Sequence, residues 1–104
     1  MAEKNKFRNK ATDELFEAIL SLKDMDECYN FFADLCTMKE LADMAQRLEA
    51  AKMLLEGKTY EQIVKSVEIS TATISRINRR IQYGNGGYET IINRIASTEE
   101  QAGE

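Results

Sequence analysis

The chain has 104 residues and a net charge of −4, with 43% hydrophobic and 31% charged residues, five glycines, and neither proline nor histidine. That length holds one small domain whose slight core favours pairing with a second copy, and the composition excludes a disordered chain in favour of an all-α fold. The lack of histidine removes the commonest acid-base catalyst and the commonest metal ligand, so no enzyme, metal site or cofactor is expected.

Residues 1–11 are polar and basic, with only Phe7 to bury, and read as a mobile arm. No signal-peptide run follows, and no stretch approaches the ~18 apolar residues of a membrane span, so a cytoplasmic protein without a membrane partner is expected. Asp13 and Glu14 open a helix whose acidic first turn suits the helix dipole, with Leu15, Phe16, Ile19, Leu20 and Leu22 on one side. Lys23-Asp24-Met25-Asp26 breaks it. A second helix, about 27–35, carries Tyr29, Phe31, Phe32 and Leu35 over so much of its circumference that one neighbouring helix would hardly cover them. That excess points to an interface and so to a homodimer. Cys28 and Cys36 lie about 12 Å apart along such a helix, too far for a disulfide, and read as reduced packing thiols. The acidic clusters around Asp13 and Asp24 lack the spacing of a metal loop and read as solvated faces.

Thr37-Met38-Lys39-Glu40 has the spacing of a capping box, and a long helix follows to about Glu56, where Gly57 is placed to end it in the left-handed conformation. Thr59 then caps a short helix of about 60–66, a turn covers 67–69, and Ser70 caps another helix running to about Tyr83. Gly84-Asn85-Gly86-Gly87 stops that one. A final helix of about 88–96 carries Ile91, Ile92 and Ile95, and residues 97–104 read as a frayed tail beyond a single domain of residues 12–96.

The net charge hides an uneven distribution. Residues 13–57 carry four basic and eleven acidic groups, whereas residues 1–12 and residues 58–82 each sum to +3. Positive charge is thus confined to two places, as a localised phosphate-binding surface requires. Within the second, Ile63, Val67, Ile69, Ile74 and Ile77 fall where two short crossing helices need apolar residues. Thr71, Ala72, Thr73, Ser75 and Arg76 leave the later helix with a small, polar, basic outer face suited to a DNA groove: hydroxyls can meet base edges, Ala72 can touch a thymine methyl, and arginine can reach guanine or phosphate. Candidate contacts to double-stranded DNA are therefore Lys58, Ser70, Thr71, Ala72, Thr73, Ser75, Arg76, Arg79 and Arg80, the last two assigned to backbone phosphates. One departure is Glu68, at the turn position usually filled by glycine, which demands strained backbone or an altered turn.

The Ser-Thr-Ala-Thr-Ile-Ser-Arg string is similar to recognition helices of helix-turn-helix repressors. From Phe31 onward the arrangement resembles the Trp repressor family, most of all its YerC/YecD-type branch, over roughly residues 12–96. The resemblance rests on Thr37, Arg47, Met53-Leu54-Leu55-Glu56-Gly57 and Ala72-Thr73-Ile74-Ser75-Arg76. It implies a six-helix fold, an intertwined homodimer, and transcription regulation, repression above all. It also implies an effector pocket formed by Thr37, Arg47, Thr73, Arg76 and Ile77, where the family's corepressor tryptophan sits beside a glycine. Ile77 stands in place of that glycine and should fill the space, so a small-molecule corepressor, if one binds, is not tryptophan. The alternative is a protein-interaction module that keeps the fold without binding DNA, which the net charge and Glu68 would suit.

Overall fold

A computed structural model describes residues 8–102. Along them run six α-helices and no strand: α1 (Lys10–Leu20), α2 (Met25–Leu35), α3 (Met38–Leu55), α4 (Tyr60–Ser66), α5 (Thr71–Tyr83) and α6 (Gly87–Ala102). The chain divides into two compact units, one ending at Leu41 and the other beginning at Ala42.

In the first unit, short polar side chains set the helix ends. Asn9 accepts the Thr12 N–H at 2.8 Å, which starts α1 a turn before Asp13. Lys10 and Ala11, expected in the arm, therefore belong to a helix, and the arm's residues 1–7 lie outside the described residues. Asp24 of the expected break acts as a cap, accepting the Glu27 N–H at 2.8 Å, and the Glu27 carboxylate of the expected helix reaches back to accept the Lys23 N–H at 2.9 Å. This opens α2 at Met25. Thr37 and Glu40 form the capping box of α3, the threonine accepting the Glu40 N–H at 3.0 Å and the glutamate accepting the Thr37 N–H at 2.8 Å. No residue of α1 or α2 is buried, and Phe16 and Leu20 stand 53% and 84% exposed. Cys28 and Cys36 are free and half-buried.

The second unit builds its own core. The end of α3 turns at Gly57, whose φ of +87° suits a residue without Cβ. The Lys58 N–H reaches back to the Met53 carbonyl and the Gly57 N–H to that of Leu54, both at 3.0 Å. Ala50 and Ala51 of α3, Ile63 of α4, Val67 just after it, Ile74 and Ile77 of α5 and Ile92 of α6 form the buried cluster. Each isoleucine taken from water contributes about 1.5–3 kcal/mol. The helix α6 runs to Ala102, six residues beyond its expected end at Ala96, which corrects the expectation of a frayed tail over most of its length. The reason is local: residues 97–102 contain no glycine or proline to stop a helix. Residues 103–104 lie outside the described residues. Among those described, no helix is long and apolar enough to cross a membrane.

Candidate nucleic-acid interface

The segment with the distinctive surface is α4, its turn and α5. Thr59 opens α4 with a full capping box, its hydroxyl accepting the Gln62 N–H at 3.1 Å and the Gln62 side chain accepting the Thr59 N–H at 2.8 Å. The Val67 N–H bonds back to the Ile63 carbonyl at 2.8 Å, after which the Ile69 N–H donates to the Val67 carbonyl, also at 2.8 Å. Only Glu68 lies between the two residues of that last bond, and among the described residues no non-glycine residue has positive φ, so Glu68 sits in a tight three-residue turn open to any L-residue. The glycine usual there is unnecessary because the turn is of another kind.

Ser70 then accepts the Thr73 N–H at 3.2 Å and starts α5. At 3.6 residues per turn, Ile74, Ile77, Asn78 and Ile81 share one side of α5, and Thr71, Ala72, Ser75, Arg76, Arg79 and Tyr83 share the other. Burial follows this division: Ile74 and Ile77 lie in the core, and all six residues of the second group are exposed. A polar bond reinforces the seat, since Asn78 Nδ2 donates to the Tyr60 hydroxyl of α4 at 3.3 Å. The outer face of α5 is thereby held by three attachments on its inner face.

Arg76, Arg79 and Arg80 are brought together, and with Tyr83 and Gly84 they line an open groove of about 420 Å³. Among the described residues none of these arginines forms an ion pair, whereas Lys65 pairs with Glu61 at 3.4 Å and Lys52 lies 4.0 Å from Glu49. Three guanidinium groups with no carboxylate partner form a strongly anion-attracting strip on an acidic chain. Gly84 is required by close approach, because a Cβ there would meet the backbone oxygen of Arg80.

Of the remaining sequence-derived candidates, Lys58 is exposed in the loop before α4, and Thr73 is half-buried with its hydroxyl 3.0 Å from that of Ser70. Arg47 is exposed on α3, and Thr37 is occupied in its capping box. Ile77 is 3% exposed and part of the core, so its side chain fills its own surroundings. Sequence reasoning missed Tyr83 and the Asn78–Tyr60 bond. The signal for Tyr83 was its spacing, three, four and seven residues after Arg80, Arg79 and Arg76.

A family model described as Trp repressor protein matches residues 10–96. A Bacillus subtilis protein, described as the uncharacterised protein YerC, is 52% identical over 98 residues, which cover 94% of each chain. Among solved structures, a TrpR-like protein from Eubacterium eligens is similar at 51% identity and a TM-score of 0.85, over 88% of this chain and 95% of that one. A Staphylococcus aureus protein described as a candidate Trp repressor has 49% identity and a TM-score of 0.85, over 88% of this chain and 92% of its own.

Proposed function

Since the chain belongs to the Trp repressor family, we propose that it is a homodimeric, sequence-specific DNA-binding regulator, a repressor by its kinship, that lays α5 in the major groove. The observation that carries this reading is the outer face of α5, where three arginines without an ion-pair partner among the described residues and the small side chains of Thr71, Ala72 and Ser75 stand exposed on a firmly seated helix. Thr71, Ala72 and Ser75 reach base edges, as the first turns of such helices do, and Arg79 and Arg80 hold backbone phosphates. Arg76 serves base or phosphate. Lys58 adds a phosphate contact ahead of α4. Thr73, its hydroxyl engaged with Ser70, braces the first turn beside them.

Pairing with a second copy is supported by α1 and α2, which carry large exposed apolar side chains and bury none. Occupation of the core by Ile77 supports a regulator that does not take tryptophan as its effector. The net charge of −4 favours a second reading, an interaction module without DNA binding. Selection from a random pool of duplexes separates the two. A DNA-binding dimer enriches a two-fold symmetric site with half-sites about one helical turn apart, and an interaction module enriches nothing.

A further inference from the structure

Tyr83 is 81% exposed at the last turn of α5, and the DNA reading above gives it no task. Its neighbours in the groove are Arg76, Arg79, Arg80 and the bare backbone of Gly84. The phenol brings the groove one uncharged O–H donor and the arginines bring five N–H donors each, so the group that suits it is an acceptor-only anion with several oxygens. Length fixes which anion can reach it. Along α5 the rise from Thr71 to Arg79 is about 12 Å, and to Tyr83 about 18 Å, at 1.5 Å per residue. The major groove is about 12 Å wide. A helix with Thr71 at the base edges therefore carries Arg79, Arg80 and Tyr83 out to the groove wall, which is lined by phosphates. Gly84 keeps the end of the helix clear there, since no side chain fits beside the Arg80 carbonyl.

We propose that the groove of Arg76, Arg80 and Tyr83 seats a backbone phosphate of double-stranded DNA, the Tyr83 hydroxyl donating a hydrogen bond to a phosphate oxygen. The inference rests on the DNA-binding reading and extends the interface to the far end of α5. It separates two kinds of phosphate contact. An arginine displaces condensed cations from DNA and so contributes to the salt dependence of binding, whereas a neutral phenol adds affinity without displacing any.

The test compares the full-length protein with Tyr83→Phe, Arg80→Ala and an Arg76→Ala/Arg79→Ala/Arg80→Ala triple variant, on a duplex recovered by selection and on an unrelated duplex of equal length, across a range of salt. Tyr83→Phe should weaken both duplexes by the same factor, about tenfold for a hydrogen bond to a charged acceptor, with the salt slope unchanged. Arg80→Ala should flatten the slope by about one unit. If Tyr83→Phe binds both duplexes as the unmodified protein does, or changes only dimer dissociation in sedimentation, the phosphate seat is overturned while the DNA reading stands. If the triple variant, folded and dimeric, binds both duplexes as tightly as the unmodified protein, the DNA reading itself fails and the seat with it.

Discussion

Up to Leu41 the described chain leaves Phe16, Leu20, Met25, Tyr29, Leu35 and Met38 largely exposed and buries no residue, whereas from Ala42 onward seven apolar residues close into a core. Both regions are helical and both have well-made caps, so the difference lies in packing alone. Local hydrogen bonds can fix where a helix begins, but they do not remove apolar surface from water, and it is that removal which dominates folding energetics. The later region therefore has the means to hold α5 by itself. The earlier one has surface that a second copy would cover.

The sharpest way to break this comparison is to truncate one residue from each side. Ile74→Ala should cost about 2–5 kcal/mol in denaturant unfolding and take DNA binding with it, because α5 loses its seat. Leu20→Ala, in contrast, should leave the stability of the dilute monomer unchanged and raise the dimer dissociation constant. Equal losses from the two at low concentration would erase the contrast. Sedimentation of the unmodified chain at micromolar concentration should give about twice its 11.9 kDa, and a monomer of native helicity would refute the pairing.

A second comparison concerns space beside α5. Because Ile77 fills the core, L-tryptophan should leave the melting temperature unchanged. A ligand present at a hundred times its dissociation constant would add about 2.7 kcal/mol, enough to see in a thermal scan. A clear rise with tryptophan would place an indole site where the side chain of Ile77 stands.

Smaller effects sharpen the account of how α4 and α5 are fastened. Thr59→Ala removes one half of a capping box and should cost about 1 kcal/mol. Tyr60→Phe deletes the partner of Asn78 and should cost about 0.5–1.5 kcal/mol, with the helical signal retained. A neutral result for Tyr60→Phe would mean that the apolar contacts alone hold the two helices together.

The order and type of the helices were legible because their punctuation is written in single residues. Thr37 with Glu40, Thr59, Ser70 and Gly57 each announce an end by a local hydrogen bond or a positive φ, and each acts where the spacing placed it. The starts of α1 and α2 were less legible, since Asn9 and Asp24 are each followed within a few positions by acidic residues that suit the same role and drew the expected start later. The end of α6 was missed for the opposite reason. Nothing in residues 97–102 stops a helix, and polar composition resembles a tail as readily as an exposed final turn. At the turn, Glu68 contradicted a glycine rule that belongs to a different turn, and the distinction depends on backbone angles that sequence spacing does not specify. The arginines of α5 were visible as charge, but their gathering with Tyr83 into one groove lay in the helical spacing of Arg76, Arg79, Arg80 and Tyr83, a signal that charge alone does not carry.

The claim that α5 engages DNA through its outer face is tested most directly by the salt dependence of duplex binding in the unmodified protein and in Arg79→Ala. Each phosphate neutralised contributes about 0.9 to the slope of log affinity against log salt. The expected result is a steep slope for the unmodified chain, a slope about one unit shallower for Arg79→Ala on every sequence tried, and no change in which sequence is preferred. Identical slopes for the two proteins, or an altered sequence preference in Arg79→Ala, would contradict it.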